Sequence, residues 1–421
     1  MRDVVVLGSG VAGLTAAYHL RDLDVEVIEA ASHIGGRTLS ESFDDGTWAN
    51  YAAQYVSDDK IKVIELADEL GLELIPSGFH SNDLRAFDPS NSDDPAAVEA
   101  WIARLEDEQA NRRPADSAEL DQVSVAQWLD DAPPAVMTFF ETWCGSLIFG
   151  STIEISLYGL MLIWGDDRTS AFTDRPVARS NRGDTVFKGG TNQLTRALAE
   201  ASGAVMTQDT EVLSVSAIQG GYHIAGIGKD GVHETTARRV VSALPAPVAL
   251  NVIADLPEEK REALGAIRYG RNIATPISIA ADGQSVAPYP MVPSRPDQTY
   301  NSNGFVLRTP GDMDRDGGCF HSYVHDVFAK PLWDDPAATV QSGAVRALVE
   351  RFPQLSDRIA RVGYRRWRHA LPHYSPGRMR HQAALEASVD GLHFCGDYVL
   401  TSNMDGAARS GELAARKVLA G

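Results

Sequence analysis

Cysteine is scarce in this 421-residue chain: Cys144, Cys319 and Cys395 stand far apart and are odd in number. They allow no disulfide framework and form no Cys-x-x-Cys metal pair, which suits a reducing, cytoplasmic setting. No metal ligand set is expected. Positive charge is also short. Lys and Arg number 38 against 57 Asp and Glu, a formal net charge of −19. That argues against nucleic acid as a partner, because phosphate binding needs a basic surface. It equally disfavours polybasic docking on anionic lipid. No uninterrupted apolar run is long enough to span a bilayer, so no transmembrane segment is expected. The apolar run at Val4 passes straight into a glycine turn and reads as a strand of the fold rather than a signal peptide. Hydrophobic content of 44% and charged content of 23% are globular values. The length suits two domains.

What is present is concentrated near the two ends. Val4-Val5-Val6-Leu7-Gly8-Ser9-Gly10-Val11-Ala12-Gly13 sets a β-branched run against Gly-x-Gly-x-x-Gly, and a small-residue helix pattern follows. Gly8 permits the turn, Gly10 lets backbone approach a diphosphate, and Gly13 lets the helix pack close to the strand. The helix start, with Val11 and Ala12 in its first turn, offers free N–H groups and a partial positive charge to phosphate. A second strand at 25–28 ends at Glu29, followed by Ala30. The acid lies about 20 residues past the first glycine, the separation expected for a ribose-binding carboxylate. Strand, turn, helix and acid together predict a dinucleotide site.

Further motifs narrow the cofactor. His33-Ile34-Gly35-Gly36-Arg37-Thr38 follows the acid directly. Gly189-Gly190-Thr191-Asn192-Gln193-Leu194-Thr195-Arg196-Ala197-Leu198 gives Gly-Gly-x-x-x-Leu-x-x-Ala-Leu. Near the C-terminus, His393-Phe394-Cys395-Gly396-Asp397 reads as a strand ending in Gly-Asp, and Asn403-Met404-Asp405-Gly406-Ala407-Ala408 opens another small-residue helix. Together these resemble the superfamily of FAD-dependent amine oxidases, protoporphyrinogen oxidases and carotenoid desaturases. The resemblance runs end to end and is dense over residues 1–60, 185–250 and 390–421.

It implies an α/β chain with a discontinuous Rossmann-like FAD-binding domain from residues 1–58, 180–250 and 386–421. Residues 59–179 and 251–385 would form an α+β substrate domain carrying a helical insert. Gly35 and Gly36 would close over the FAD pyrophosphate, with Arg37 neutralising phosphate charge. The small-residue stretch Ala52, Ala53, Gln54 and Tyr55 would run under the flavin ring. The Val212 backbone would meet adenine, and Gly396 and Asp397 the ribityl or pyrophosphate part. The helix start at Asn403, Met404, Asp405 and Ala407 would point its dipole at the pyrimidine end of the flavin, where charge accumulates on reduction.

Local patterns fill in the rest. Residues 40–56 read as a hairpin turning at Asp45-Gly46, and 59–72 as an amphipathic helix. Residues 92–165 are helical by period, with a Ser124 N-cap, a break at Pro133-Pro134 and an aromatic helix over 135–148. Strands are expected at 204–207, 211–215, 222–227, 239–243, 275–279 and 304–307, and a helix from 337 that stops at Pro353. Residues 88–96 read as a loop.

For chemistry, Trp367-Arg368-His369-Ala370-Leu371-Pro372-His373-Tyr374-Ser375-Pro376-Gly377-Arg378 is the informative segment. The resemblance sets Trp367 beside the flavin or cavity wall, with Tyr374 packed near it. His369 and His373 could each take a proton, because imidazole titrates near working pH. The family reaction moves a hydride from a substrate carbon to flavin N5. The chain departs from the amine oxidases at three places. Arg378 and Met379 stand where monoamine oxidases carry a flavin-linked Cys and an aromatic, so noncovalent FAD is expected. Asn403 replaces the second cage aromatic. Ile273-Ala274-Thr275-Pro276 replaces a strand that usually carries a Lys near N5. The expected partner is a small organic substrate, oxidised at a carbon–nitrogen bond. Carbon–carbon desaturation or protoporphyrinogen-type oxidation is the alternative, and a non-catalytic flavin protein the third. A homodimer stays open.

Overall fold

The computed structural model describes residues 1–44, 47–57, 60–76, 89, 92–111, 117–164, 185–280, 303–306 and 318–421. Val4, Val5, Val6 and Leu7 are completely buried. A parallel strand covered on both faces requires that continuous apolar run. Around it a seven-stranded sheet runs in the order Val205–Thr207, Val25–Ile28, Arg2–Leu7, Gly231–Ser242, Gly221–Gly228, Thr210–Ile218, and Leu392–Phe394 also pairs with Gly231–Ser242. The long strand Gly231–Ser242 joins two kinds of sheet. Its first half pairs antiparallel with Gly221–Gly228; its second half pairs parallel with both Arg2–Leu7 and Leu392–Phe394. N-terminal, middle and C-terminal stretches therefore meet in one sheet, as a discontinuous Rossmann-like fold requires.

Two helices from opposite ends of the chain pack on one side of that sheet: Val11–His19 and Met404–Ala420. Their approach depends on glycine. A Cβ on Gly13 would lie 2.0 Å from the Gly8 carbonyl oxygen, and one on Gly411 would lie 2.2 Å from that of Ala12. Both distances are far inside van der Waals contact, so only glycine lets helix meet strand, and helix meet helix, this closely. Val11, Ala12 and Leu14 share one core with Ala407, Ala408, Ala414 and Ala415.

The second sheet is antiparallel. It runs Asn303–Val306, Gly318–His325, Tyr269–Ile279, Ile359–Val362, with Arg365–Pro372 also paired to Tyr269–Ile279. Helix Ala337–Arg351 covers one face, placing Ala344, Ala347 and Leu348 on Ile277, Ile279 and Phe320. The other face meets the hairpin of Ser40–Ser42 and Trp48–Asn50 and the residues after it. The expected Asp45-Gly46 turn of that hairpin lies outside the described residues.

The helical insert packs Trp128, Phe139, Phe140, Trp143 and Trp164 into its own core. Ser124 caps Val125–Trp128 through a reciprocal capping box with Gln127. The aromatic helix spans Pro134–Trp143; residues Cys144–Ile148, expected to continue it, widen into a π turn. Gly145 removes helical preference there, and Phe149 ends the turn at φ +60°. Among the described residues no helix is long and apolar enough to cross a membrane.

Candidate functional site

The site begins at the first glycine turn. Gly10 has φ −72° and ψ −179°, and no atom lies within 4 Å of where its Cβ would stand. Helix Val11–His19 has no side-chain cap and no acid in its first turn. Its first amides therefore face an opening with no internal anion to satisfy them. The Gly-Gly-Arg loop lies over this turn: the Gly35 amide donates to the Ser9 carbonyl at 2.9 Å. Glu29 is fixed beside it. One carboxylate oxygen accepts from the Ser9 amide at 2.9 Å and the Ser9 hydroxyl at 2.7 Å; the other accepts from the Ala31 amide at 2.9 Å. Ala30 stands between these two anchors. The Thr210 amide donates to the Glu29 carbonyl at 2.9 Å, which brings Val212, 7% exposed, into the same neighbourhood. This cradle fits a dinucleotide diphosphate: open space over Gly10, uncapped amides, and a carboxylate at the neighbouring strand end.

Arg37 and Asp397, expected on phosphate and ribityl groups respectively, are bonded to each other. The contacts are 2.5 and 2.9 Å, and Arg37 also donates to the Ala370 carbonyl at 2.8 Å. Burial acts to lower the Arg37 pKa, and the Asp397 carboxylate more than offsets it, so the net shift is upward. The pair ties the Gly-Gly-Arg loop to the Gly396-Asp397 turn.

At the last helix, Asn403 is the N-cap, and its side chain accepts from the Gly406 amide at 2.8 Å. Met404 and Ala407 pack into the core shared with the first helix. Asp405, expected at the flavin end of this helix, serves a second helix as well. Its carboxylate accepts from the Lys62 amide at 2.7 Å and the Val63 amide at 3.1 Å, capping helix Ile61–Glu69. Burial raises its pKa. That helix has no side-chain cap of its own at Lys60, so Asp405 supplies one from across the core.

The stretch expected under the flavin ring is held on both sides. The Ala53 amide donates to the Arg37 carbonyl at 3.0 Å, and the Thr191 hydroxyl to the Ala53 carbonyl at 2.8 Å. From the second sheet, the Trp367 indole donates to the Tyr51 carbonyl at 2.8 Å and the Tyr323 hydroxyl to the Ala52 carbonyl at 3.0 Å. The Gln54 amide meets both the His321 ring and the Tyr323 hydroxyl. Tyr55 packs in the same cluster as Trp367. Burial pushes His321 down to about 3, raises Tyr323, and pushes the Cys319 thiol up to about 12. These three side chains are therefore uncharged at neutral pH. His321 and Tyr323 were not anticipated, and no polar alternation within Cys319-Phe320-His321-Ser322-Tyr323 marks them.

Of the four residues expected to do chemistry, Trp367 touches this stretch. Tyr374, expected to pack beside Trp367, sits instead with Tyr158 and Leu162; its hydroxyl donates to the Leu400 carbonyl at 3.3 Å and accepts from the Ser402 amide at 2.9 Å. His373 is 3% exposed and its Nε2 lies 2.9 Å from the Phe149 carbonyl. Burial lowers its pKa. It joins the insert to the C-terminal segment. His369 sets its ring edge-on to Tyr269 at 5.2 Å, and burial, then Arg368 and Arg37, lower its pKa. The pairing of Tyr269–Ile279 with Arg365–Pro372 shifts register between Gly270 and Asn272, opposite residues 367–371. Arg378 is buried, donating to the Gln382 side chain at 3.2 Å and to the Tyr398 carbonyl, with its guanidinium 4.9 Å from the Tyr374 ring.

A family profile described as flavin containing amine oxidoreductase matches residues 11–419. Putrescine oxidase of Kocuria rosea is 34% identical over 149 residues, 30% of this chain and 31% of that protein. An L-amino acid dehydrogenase of Synechocystis is 25% identical over 231 residues, 48% of each. The chain thus spans about a third to a half of the length of these curated relatives. Among solved structures, cyclohexylamine oxidase from Brevibacterium oxydans superposes with a TM-score of 0.78 at 21% identity, covering 99% of this chain and 98% of that one. At that identity the superposition speaks for the fold.

Proposed function

Since the chain belongs to the flavin-containing amine oxidoreductase family, we propose that it binds FAD noncovalently and oxidises a small organic amine at its carbon–nitrogen bond. When bound, FAD supplies the hydride acceptor. The chain's own residues bind, orient and exclude water. Gly8, Gly10, Val11, Ala12 and Gly13 take the diphosphate on uncapped helix amides. Glu29 takes a ribose hydroxyl, and Gly35 and Gly36 close over the turn. Ala52 to Tyr55 and Trp367 form the wall against which a flat ring is held. The carrying observation is the contact of Gly411 with Ala12, which sets the two glycine-rich helices, one from each end of the chain, side by side.

Noncovalent binding is supported by Arg378 at the position of the family's flavin-linked Cys. All three cysteines are buried, with their thiols pushed up by that burial. Their free state also supports a cytoplasmic setting. The test is anaerobic bleaching of the flavin by a panel of amines, amino acids, tetrapyrroles and polyenes. Bleaching by amines supports the proposal. Bleaching by polyenes or tetrapyrroles alone would favour the second reading, carbon–carbon desaturation, which the lysine-free stretch at 273–276 supports. No bleaching with any of them would favour a non-catalytic flavin protein.

A further inference from the structure

Between the Gly396-Asp397 turn and the N-cap Asn403 the chain runs through residues that belong to no helix or strand. Tyr398, Val399 and Leu400 are nonetheless 1%, 4% and 3% exposed. Buried carbonyls outside regular structure need partners from elsewhere. Three consecutive ones find them on a single segment, from side chains at positions 374, 378 and 382. Arg378 donates to the Tyr398 carbonyl, Gln382 to the Val399 carbonyl at 2.7 Å, and the Tyr374 hydroxyl to the Leu400 carbonyl at 3.3 Å. The Tyr374 hydroxyl also accepts from the Ser402 amide at 2.9 Å, and the Ser402 hydroxyl donates to the Pro372 carbonyl at 2.8 Å. The segment is itself held by the helical insert. Asp121 accepts from the Gly377 amide at its carbonyl, 2.8 Å, and from the Met379 amide at its carboxylate, 2.9 Å; the Ser156 amide donates to the Tyr374 carbonyl at 2.7 Å. A Cβ on Gly159 would stand 2.2 Å from that of Tyr374.

The two ends of this connection, Gly396-Asp397 and the helix start at Asn403, are the places where the C-terminal stretch is expected to meet the cofactor. Its shape therefore sets where that helix start stands. One of the three rungs is also costly. Arg378 is 4% exposed and forms no ion pair among the described residues. Of the acids around it, Asp121 serves the Met379 amide, Asp397 is bonded to Arg37, and Glu386 is reached only through Gln382, whose side-chain amide donates to it at 2.7 Å. Burial lowers the Arg378 pKa, and Tyr374 and Asp121 only partly oppose it; a guanidinium still stays charged at neutral pH. A neutral donor would serve the Tyr398 carbonyl without the cost of burying a charge. The charge has a use where negative charge builds, as it does on a flavin ring on reduction.

We propose that Tyr374, Arg378 and Gln382 are positioning residues for the cofactor: they fix the helix start at Asn403 against the flavin, and the Arg378 charge raises its reduction potential. This rests on the FAD-binding reading above. The test is the reduction potential of the FAD-loaded protein, read anaerobically against indicator dyes, with thermal melting of the same variants. Arg378→Met should favour oxidised over reduced FAD about tenfold or more, a fall of about 30 mV or more for two electrons. Tyr374→Phe, which loses one hydroxyl, should move the balance the same way about threefold, within the worth of one net hydrogen bond. Arg378→Lys keeps the charge and should recover most of the fall while melting below the wild type. Leu348→Ala, a cavity under the helix on the second sheet, is the control: a lower melting temperature with an unmoved potential. An unmoved potential in Arg378→Met would overturn the inference. So would an Arg378→Lys potential as low as that of Arg378→Met, or a shift of the same size in Leu348→Ala. Should Arg378→Met fail to fold, Tyr374→Phe decides, and an unmoved potential there overturns the inference. Wild-type protein that binds no FAD would overturn the proposed function and the inference together. The measurement needs no substrate, so a holoprotein bleached by polyenes and not by amines would change the proposed function alone.

Discussion

Replacing Gly10 by Ala separates a glycine that serves only a turn from one that leaves room for a phosphate. The backbone at Gly10, φ −72° and ψ −179°, is open to any residue, and a Cβ there meets nothing within 4 Å. The flavin-free protein should therefore tolerate the change. Gly→Ala at such a compatible position stabilises by about 0.4–1 kcal/mol, through the unfolded chain. The holoprotein should not tolerate it. The added methyl occupies the space through which a diphosphate would reach the Val11 and Ala12 amides. Forcing one extra carbon into a close contact costs on the order of 1–3 kcal/mol, roughly a 5- to 150-fold loss of FAD affinity. Urea unfolding of the flavin-free protein reads the first effect, and a fluorescence titration with FAD the second. Gly13→Ala is the contrast: its Cβ would lie 2.0 Å from the Gly8 carbonyl oxygen, so it should lose stability even without flavin. If Gly10→Ala bound FAD as tightly as the wild type, the diphosphate would not lie over this turn.

Asp405→Ala should destabilise the protein by about 0.5–2 kcal/mol, the range for loss of a helix cap, and leave the flavin spectrum unchanged. A spectral shift without loss of stability would return Asp405 to the flavin. Acid precipitation of the holoprotein should release all flavin to the supernatant, and colour retained in the pellet would contradict noncovalent binding. Stability should also fall in acid. His321 is held down to about 3 and His393 to about 4, both first by burial, against about 6.5 in the unfolded chain. The unfolded state then binds protons that the folded state refuses. This contribution is complete above about pH 6.5 and is lost as the pH falls toward those folded values. Denaturation midpoints between pH 7 and 4 check it, and His321→Phe should flatten the slope; an equal slope in that variant would refute the assignment to His321.

The parts of this molecule that were legible in the sequence are those whose cause is local. Val4 to Leu7 announces a strand buried on both faces because every side chain is apolar. Gly13 marks a helix that touches backbone, and that need leaves a glycine in the sequence. The Ser124 capping box lies within four residues. Contacts between distant strands left no such mark. Gln54 and His321 are 267 positions apart, and nothing in either neighbourhood names the other. Arg37 and Asp397 were each read toward the cofactor, and their mutual bond across 360 positions was not foreseen. The Asp405 contact left no mark for a related reason. An acid in the first turn of a helix ordinarily serves its own dipole, whereas this one reaches the start of another helix 342 positions away. His373 and Tyr374 share a chemistry-bearing segment with Trp367, but the strand Arg365–Pro372 ends before them and they pack elsewhere.

The helix starting at Val11 and the helix starting at Met404 are proposed to grip one flavin dinucleotide together. Isothermal titration of the flavin-free chain with FAD, joined to thermal melting of the same samples, tests it most directly. One FAD per chain, a yellow protein and a clear rise in melting temperature are expected. A colourless chain with no binding heat and an unmoved melting temperature at saturating FAD would contradict it.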